Sequence, residues 1–348
     1  MPFDARSRAS SQAHPAAGLI DRFGRKVDYL RLSVTDRCDL RCTYCMAERM
    51  TFLPRRELLT IEELVNLTSA FIDLGVQKVR LTGGEPLVRH GITALIEQLG
   101  QQVARGRLRE LTLTTNGTQL ARHAAFLADN GVRRVNVSLD TIDPAKFTEI
   151  TRIGRLEQVL NGIETARAAG LRVKINTMAL RGFNETELPD LVEWALRRGC
   201  DVSFIEVMPM GEVAADDRLG QYWPLQEVRT LLERRLTLVD TDFSTGGPAR
   251  YCDVRGTEQR IGFITPMSRT FCAGCNRVRV NCRGELFTCL GREGSRDLRP
   301  ALRKAPGAPR IQQAIHEALS CKPAGHDFAY GAQGVAGAVS RSMNHTGG

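Results

Sequence analysis

The chain has 348 residues, 42% of them hydrophobic, and 48 Lys and Arg against 39 Asp and Glu give it a formal net charge of +9. That length buries a sizeable core and allows one large domain with an appendage, while the sequence lacks both an apolar run long enough for a membrane span and a Gly-x4-Gly-Lys-Ser/Thr phosphate loop. The arginines are scattered, without a basic run or an aromatic-studded strand, so the charge does not point to nucleic acid; a few arginines around a cavity would instead neutralise a polyphosphate.

Residues 1–20, rich in Ala, Ser, Arg and Pro, are expected to form a disordered tail without the apolar segment of a secretory signal. A reducing, cytoplasmic compartment then suits the ten cysteines. From there apolar runs alternate with segments of helical period. In chain order the pattern predicts strand 29–34, helix 60–74, strand 78–82, helix 91–104, strand 110–114 and helix 119–130. Strand 133–139, helix 155–169, strand 171–179, helix 185–198 and strand 202–208 follow. Gly75, Gly131 and Gly170 stand where helix C-caps are needed. Six strands in βα order are too few for a closed eight-stranded barrel and predict an α/β fold, a partial (β/α)6 TIM-like barrel over 21–240. Shorter strands, Gly246-Gly247-Pro248 and a cysteine group then read as a C-terminal α+β appendage over 241–348 that covers the open side. Chemistry in such barrels collects where strands end. Thr82 to Pro86, Thr114 with Asn116, Ser138 with Asp140, Asn176, and Glu206 to Met208 all fall there.

Six of the cysteines form two groups: Cys38, Cys42 and Cys45 as Cys-x3-Cys-x2-Cys, and Cys272, Cys275 and Cys289 as Cys-x2-Cys-x13-Cys. Each offers three thiolates, one fewer than a closed zinc site or a fully ligated iron–sulfur cluster takes. The missing ligand leaves one metal position open to a substrate. Structural zinc fits the first group poorly, because the nearest histidines are His14 and His90. In the second group Cys282 lies between Cys275 and Cys289, so a four-cysteine zinc site can be written, as for a zinc-stabilised nucleic-acid-binding protein. Strand alternation, however, puts Cys282 with Val278 and Val280, opposite Arg277 and Arg279, where it reads as a core thiol.

Cys38-Asp-Leu-Arg-Cys42-Thr-Tyr44-Cys45 followed by Thr82-Gly83-Gly84-Glu85-Pro86 resembles the signature of the radical S-adenosylmethionine (SAM) superfamily. The resemblance implies a [4Fe–4S] cluster on the three cysteines, with SAM chelating the fourth iron. Tyr44 would then flank the adenine, and the turn at Gly83, Gly84 and Glu85 would receive the SAM amino group. Phe271-Cys272-Ala-Gly-Cys275-Asn-Arg277-Val278-Arg279, with Cys289 and the terminal Gly347-Gly348, resembles the GTP 3′,8-cyclase family of molybdenum cofactor biosynthesis.

That resemblance implies a second [4Fe–4S] cluster on Cys272, Cys275 and Cys289, whose open iron takes the guanine of GTP. It further implies SAM contacts at Gly84, Ser138 and Met208. GTP contacts would fall at Arg31, Lys78, Arg80, Thr114, Lys174, Arg277, Val278 and Arg279, and catalytic roles on Arg277, Arg279, Gly347 and Gly348. The reaction implied is abstraction of hydrogen from ribose C3′ by a 5′-deoxyadenosyl radical, addition of the C3′ radical to C8, and completion by an electron and a proton. A reducing partner such as flavodoxin or ferredoxin and hand-off to cyclic pyranopterin monophosphate synthase are implied as well. Homodimerisation is left open, and no nucleic acid or membrane partner is expected. Two positions depart from the family pattern: Ser203 stands where arginine is usual, so that either Lys78, Arg80 or Lys174 compensates or triphosphate affinity is weaker, and Cys282 is an added thiol, either inert or closing the second cluster against guanine. A radical SAM enzyme that modifies a peptide is the nearest rival reading.

Overall fold

The computed structural model describes residues 18–46, 49–211, 219–303, 308–331, 334–336 and 339–347. Residues 1–17, most of the expected tail, lie outside them, but Leu19 is buried and its carbonyl accepts from the Val27 amide at 2.7 Å, so the fold begins inside the 1–20 span.

The six expected strands form in the expected order: β1 (Tyr29–Ser33), β2 (Lys78–Thr82), β3 (Glu110–Thr115), β4 (Arg134–Ser138), β5 (Arg172–Ala179) and β6 (Asp201–Glu206). All are parallel to their neighbours. Each alternates an aliphatic face against helices with a polar face turned inward, as β2 does with Val79 and Leu81 against Lys78, Arg80 and Thr82. The helices α1 (Ile61–Asp73), α2 (Ile92–Ala104) and α3 (Leu120–Asp129) follow the first three of these inner strands. On α1 a capping box between Thr60 and Glu63 starts the helix, and Leu64, Leu67 and Phe71 bury its inner face.

Between β4 and β5 stands a helix that was not expected, α4 (Pro144–Thr151), started by Asp143, whose carboxylate accepts from the amides of Ala145 and Lys146. It is short and weakly amphipathic, so periodicity does not reveal it. Its C-terminal turn holds the first cysteine loop, with the Arg41 and Thr43 amides donating to the carbonyls of Thr151 and Ile150 at 3.1 and 2.9 Å. Helices α5 (Leu156–Ala168) and α6 (Leu188–Arg197) complete the βα series.

The later strands extend this sheet at both edges. β9 (Arg260–Ile264) joins β6 in parallel, and β8 (Arg250–Val254) and β7 (Leu238–Thr241) continue outward antiparallel. At the other edge β10 (Arg277–Val280) joins β1 in parallel, followed by antiparallel β11 (Glu285–Phe287) and β12 (Arg296–Asp297). The result is one sheet of twelve strands among the described residues, ordered β12-β11-β10-β1-β2-β3-β4-β5-β6-β9-β8-β7. The segment read as an appendage therefore builds both flanking walls of the barrel. No described helix is long and apolar enough to cross a membrane.

Candidate functional site

The inner strands and their C-terminal ends surround a cavity of about 280 Å³. Both cysteine triads line it.

Cys38, Cys42 and Cys45 sit on a loop after β1 that is closed by the Cys45 amide donating to the Cys42 carbonyl at 3.0 Å. Cys38 Sγ accepts from the Leu40 amide at 3.4 Å and from Asn116 Nδ2 at 3.6 Å. Asp39 fastens the loop to the end of β3, accepting from Asn116 Nδ2, Thr118 Oγ1 and Gln119 Nε2 at 2.7, 2.6 and 3.0 Å. Burial pushes the Cys38 thiol up to about 12 and Cys42 well above its ordinary value. The Gly83-Gly84 turn packs directly on this loop: a Cβ at Gly83 would lie 2.6 Å from the Thr35 carbonyl oxygen, and one at Gly84 2.3 Å from that of Arg37. These glycines are needed for close backbone approach.

Tyr44 also lines the cavity and is hydrogen-bonded to Asp140, whose carboxyl burial lifts to about 6. Ser138 and Met208 lie on the same wall. Glu85 does not. Its carboxylate, fully buried beneath the turn, accepts from Asn116 N at 2.7 Å, Thr115 Oγ1 at 2.9 Å and Leu87 N at 3.0 Å, and burial pushes it up to about 7.

The second triad comes from a short turn, Cys272–Gly274, with Cys275 at its end, and from Cys289 just after β11. Three basic residues hold its segments. Arg25 Nη1 donates to the Cys272 carbonyl at 2.8 Å, Lys322 Nζ to Cys275 Sγ at 3.5 Å, and Arg341 Nη2 to the Cys289 carbonyl at 3.4 Å. Burial alone would raise the Cys275 thiol, but Lys322 and Arg277 outweigh it and hold the thiol below its usual value. Cys282 is fully buried outside the cavity wall, its thiol lifted to about 12 by burial. The four-cysteine zinc set is therefore not brought together on this wall.

Between the triads lies a basic floor. Register places Lys78, Tyr29 and Arg277 side by side across β2, β1 and β10, and Arg80, Arg31 and Arg279 in the next row but one. A third row runs Thr114, Asn136, Lys174 across β3, β4 and β5. Arg80, Lys174, Arg277 and Arg279 are buried, and none has a carboxylate within ion-pair distance among the described residues. Burial and the neighbouring arginines push Lys174 well below its usual value and Arg279 down to about 10. Arg80 Nε, Arg277 Nε, Thr114 Oγ1 and both amide atoms of Asn136 are buried without a hydrogen-bond partner. Buried polar atoms and like charges left in this state call for a polyanionic, hydrogen-bonding ligand.

Lys78 is turned aside: its ammonium pairs with Glu110 at 2.8 Å and donates to the Thr245 carbonyl at 2.8 Å. Arg31, Val278 and Gly84 line the cavity with the residues above. Gly347 reaches the floor from the C-terminus, its carbonyl accepting from Arg279 Nη1 at 2.5 Å. At φ 78° and with a Cβ that would meet Thr82 Oγ1 at 2.0 Å, only glycine fits there. Gly348 lies outside the described residues. Sequence reasoning missed Lys322, Tyr29 and Tyr251, whose hydroxyl lies 3.3 Å from both Lys174 Nζ and Thr245 Oγ1. The recurring pattern of Lys78-x-Arg80, Tyr29-x-Arg31 and Arg277-x-Arg279 on strands is the signal that finds the rows.

This βα sheet and its thiol loop define a radical SAM protein, and the Radical SAM superfamily model matches residues 32–195. The Molybdenum Cofactor Synthesis C model matches residues 200–328. A relative from Rhodobacter capsulatus named GTP 3′,8-cyclase is 57% identical over 330 residues, covering 95% of this chain and 98% of its own. Another of that name from Paracoccus denitrificans (strain Pd 1222) is 59% identical over 332 residues, covering 95% and 96%. The chain belongs to the GTP 3′,8-cyclase family. Among solved structures, Streptococcus suis SuiB bound to S-adenosylmethionine matches with TM-score 0.58 at 18% identity, over 78% of this chain and 63% of that one. SuiB bound to precursor peptide SuiA matches with TM-score 0.61 at 16% identity, over 86% and 65%. The chain thus spans just under two-thirds of SuiB, and the likeness is one of fold.

The residues present fit the iron–sulfur clusters and SAM that this family uses. No group of three or more His, Cys, Asp and Glu among the described residues is arranged round a single ion. A cubane takes each thiolate on a different iron and needs the sulfurs farther apart than one zinc does. Buried thiols with raised pKa values ionise once a cationic cluster is beside them.

Proposed function

We propose that the protein converts GTP to 3′,8-cyclo-7,8-dihydro-GTP, with SAM bound at the first triad and GTP at the second. The observation that carries this reading is that both triads face one cavity with Arg80, Lys174, Arg277 and Arg279, which have no carboxylate partner among the described residues. When bound, the cluster on Cys38, Cys42 and Cys45 supplies the electron that splits SAM into methionine and a 5′-deoxyadenosyl radical.

The protein's own part is placement. Tyr44, Gly84, Ser138 and Met208 hold SAM at the strand ends, and the Gly83-Gly84 turn brings backbone groups to its amino group. Arg31, Arg80 and Lys174 take the triphosphate, with Thr114 and Asn136 supplying neutral hydrogen bonds. Arg277, Val278 and Arg279 orient the nucleoside beside the second triad. Ribose C3′ is thereby held against the deoxyadenosyl carbon, and the covering strands exclude water. Glu85 and Lys78 act one layer back, bracing the turn and the floor. The Gly347 carbonyl orients Arg279. A reductant such as flavodoxin or ferredoxin, hand-off to cyclic pyranopterin monophosphate synthase, and a cytoplasmic site of action belong to the same reading.

The test is anaerobic iron and sulfide analysis with Mössbauer spectroscopy on wild type and on Cys272→Ser/Cys275→Ser/Cys289→Ser, each with and without GTP. Two [4Fe–4S] clusters in wild type, one lost in the variant and one perturbed by GTP, are expected. One cluster with zinc at the second triad and no response to GTP would sink the reading.

A further inference from the structure

Lys322 follows the helix Ala308–Ser320 and is among the largest fully buried side chains of the chain. An ammonium carries three hydrogens. Here each has an acceptor: Cys275 Sγ at 3.5 Å, the Arg277 carbonyl at 3.0 Å and the Thr288 carbonyl at 2.6 Å. One group therefore joins the turn that carries Cys275, the start of β10, and the residue just before Cys289.

The two other basic residues on these segments differ in a way that decides the matter. Arg25 is paired with Asp21 at 2.6 Å and Arg341 with Glu293 at 2.9 Å, and both reach only carbonyl oxygens of the cysteines. Lys322 alone of the three touches a sulfur, and alone has no carboxylate partner among the described residues. Burying an ammonium against two carbonyls costs more than burying a neutral donor. Its counter-charge has to be the thiolate.

We propose that Lys322 is a positioning residue for the second cluster, donating an N–H···S hydrogen bond to the Cys275 thiolate and offsetting the cluster's charge. The proposal rests on the two-cluster reading above. Two positive charges on a [4Fe–4S] core and three thiolates leave one net negative charge, which a single ammonium cancels. Two consequences follow from the electrostatics. Positive charge and hydrogen bonding at sulfur stabilise the reduced cluster and raise its potential. The same withdrawal of electron density makes the open iron a better acceptor for a lone pair of the substrate base.

The experiment compares Lys322→Met, Lys322→Gln and Lys322→Arg with the parent, each in full-length protein reconstituted with iron and sulfide. Potentials are read by EPR-monitored redox titration in a Cys38→Ser/Cys42→Ser/Cys45→Ser background, where the second cluster is the only one. GTP affinity is read by equilibrium dialysis. Gln keeps donors for the two carbonyls without the charge, so it separates charge from packing. A shift of the midpoint to more negative potential in Met and Gln but not Arg is expected, with GTP affinity lower by about tenfold in the same two. Loss of the second cluster's iron from Met and Gln with retention in Arg supports the proposal equally. An unchanged midpoint in Gln, or loss of iron from all three variants alike, would overturn it. Failure of the two-cluster reading shows itself separately, as a background protein that binds no iron before any change at Lys322.

Discussion

Arg31 on β1 and Arg279 on β10 stand directly opposite each other in a parallel strand pair, with Arg80 on the far side of Arg31. Neighbouring like charges in a buried sheet face destabilise the free protein, and a polyanion removes that penalty. Arg80→Met is therefore expected to stabilise the ligand-free protein by about 1 kcal/mol while weakening GTP binding by about tenfold. Thermal unfolding with and without GTP reads both effects. A variant that loses stability and affinity together would show that Arg80 is held by contacts other than those of the row.

Gly347 has a sharp steric requirement. Truncation of Gly347 and Gly348 removes the acceptor of Arg279 without touching the first triad. Formation of 5′-deoxyadenosine is expected to continue, while cyclised product falls to background. Normal product yield from the truncated protein is the outcome that contradicts this.

Asp140 gives a signed pH dependence. Its folded-state carboxyl is raised by burial to about 6 from an ordinary 3.8, so the folded protein binds the proton more tightly than the unfolded chain. The resulting stability is fully present below the unfolded value and is lost as pH rises through about 6, to the extent of on the order of 3 kcal/mol. Asn keeps an acceptor for the Met178 amide and a polar group for Tyr44. The stability of Asp140→Asn relative to wild type should thus rise between about pH 4 and pH 6 and level off above about pH 7, as measured by chemical unfolding. A difference that stays flat across that range would place the titration elsewhere.

Gly262 lies opposite Ser203 in the β6–β9 pair, and a Cβ there would meet Ser203 Oγ at 2.6 Å and Tyr251 Cε1 at 2.9 Å. Gly262→Ala is expected to cost about 1–3 kcal/mol by overpacking. Adding Ser203→Ala removes the nearer obstacle and should restore about 1 kcal/mol of it in a double-mutant cycle. Additive losses would mean that the ring of Tyr251 alone sets the limit.

The six inner strands and the cysteine loops were legible because each is a local pattern: aliphatic alternation along a strand, and thiols at fixed spacing. The helix Pro144–Thr151 was not, since eight residues begun by Asp143 and Pro144 carry little periodic signal. The pairing of β10 with β1 is a tertiary relationship that no window of sequence contains, although alternation did put Arg277 and Arg279 on one face and Cys282 on the other. Lys322 was invisible for a different reason. A single lysine after a helix reads as a solvated side chain, and only the positions of Cys275 and Thr288 reveal three acceptors around it. Lys78 and Glu85, expected to touch ligands, sit one layer behind the wall because Glu110 binds the first, and the Thr115 hydroxyl and Asn116 amide bind the second.

The closure of β1 by β10 also sets an order of assembly. During synthesis the first triad leaves the ribosome long before the strand that walls it in, and the Gly347 contact forms only when the last residues are free. Until β10 pairs with β1, the first triad lacks the wall that β10 and the second triad supply. Cluster delivery to the first triad can precede completion of the substrate chamber, whereas the second triad, Arg277, Arg279 and the tail come last in the chain.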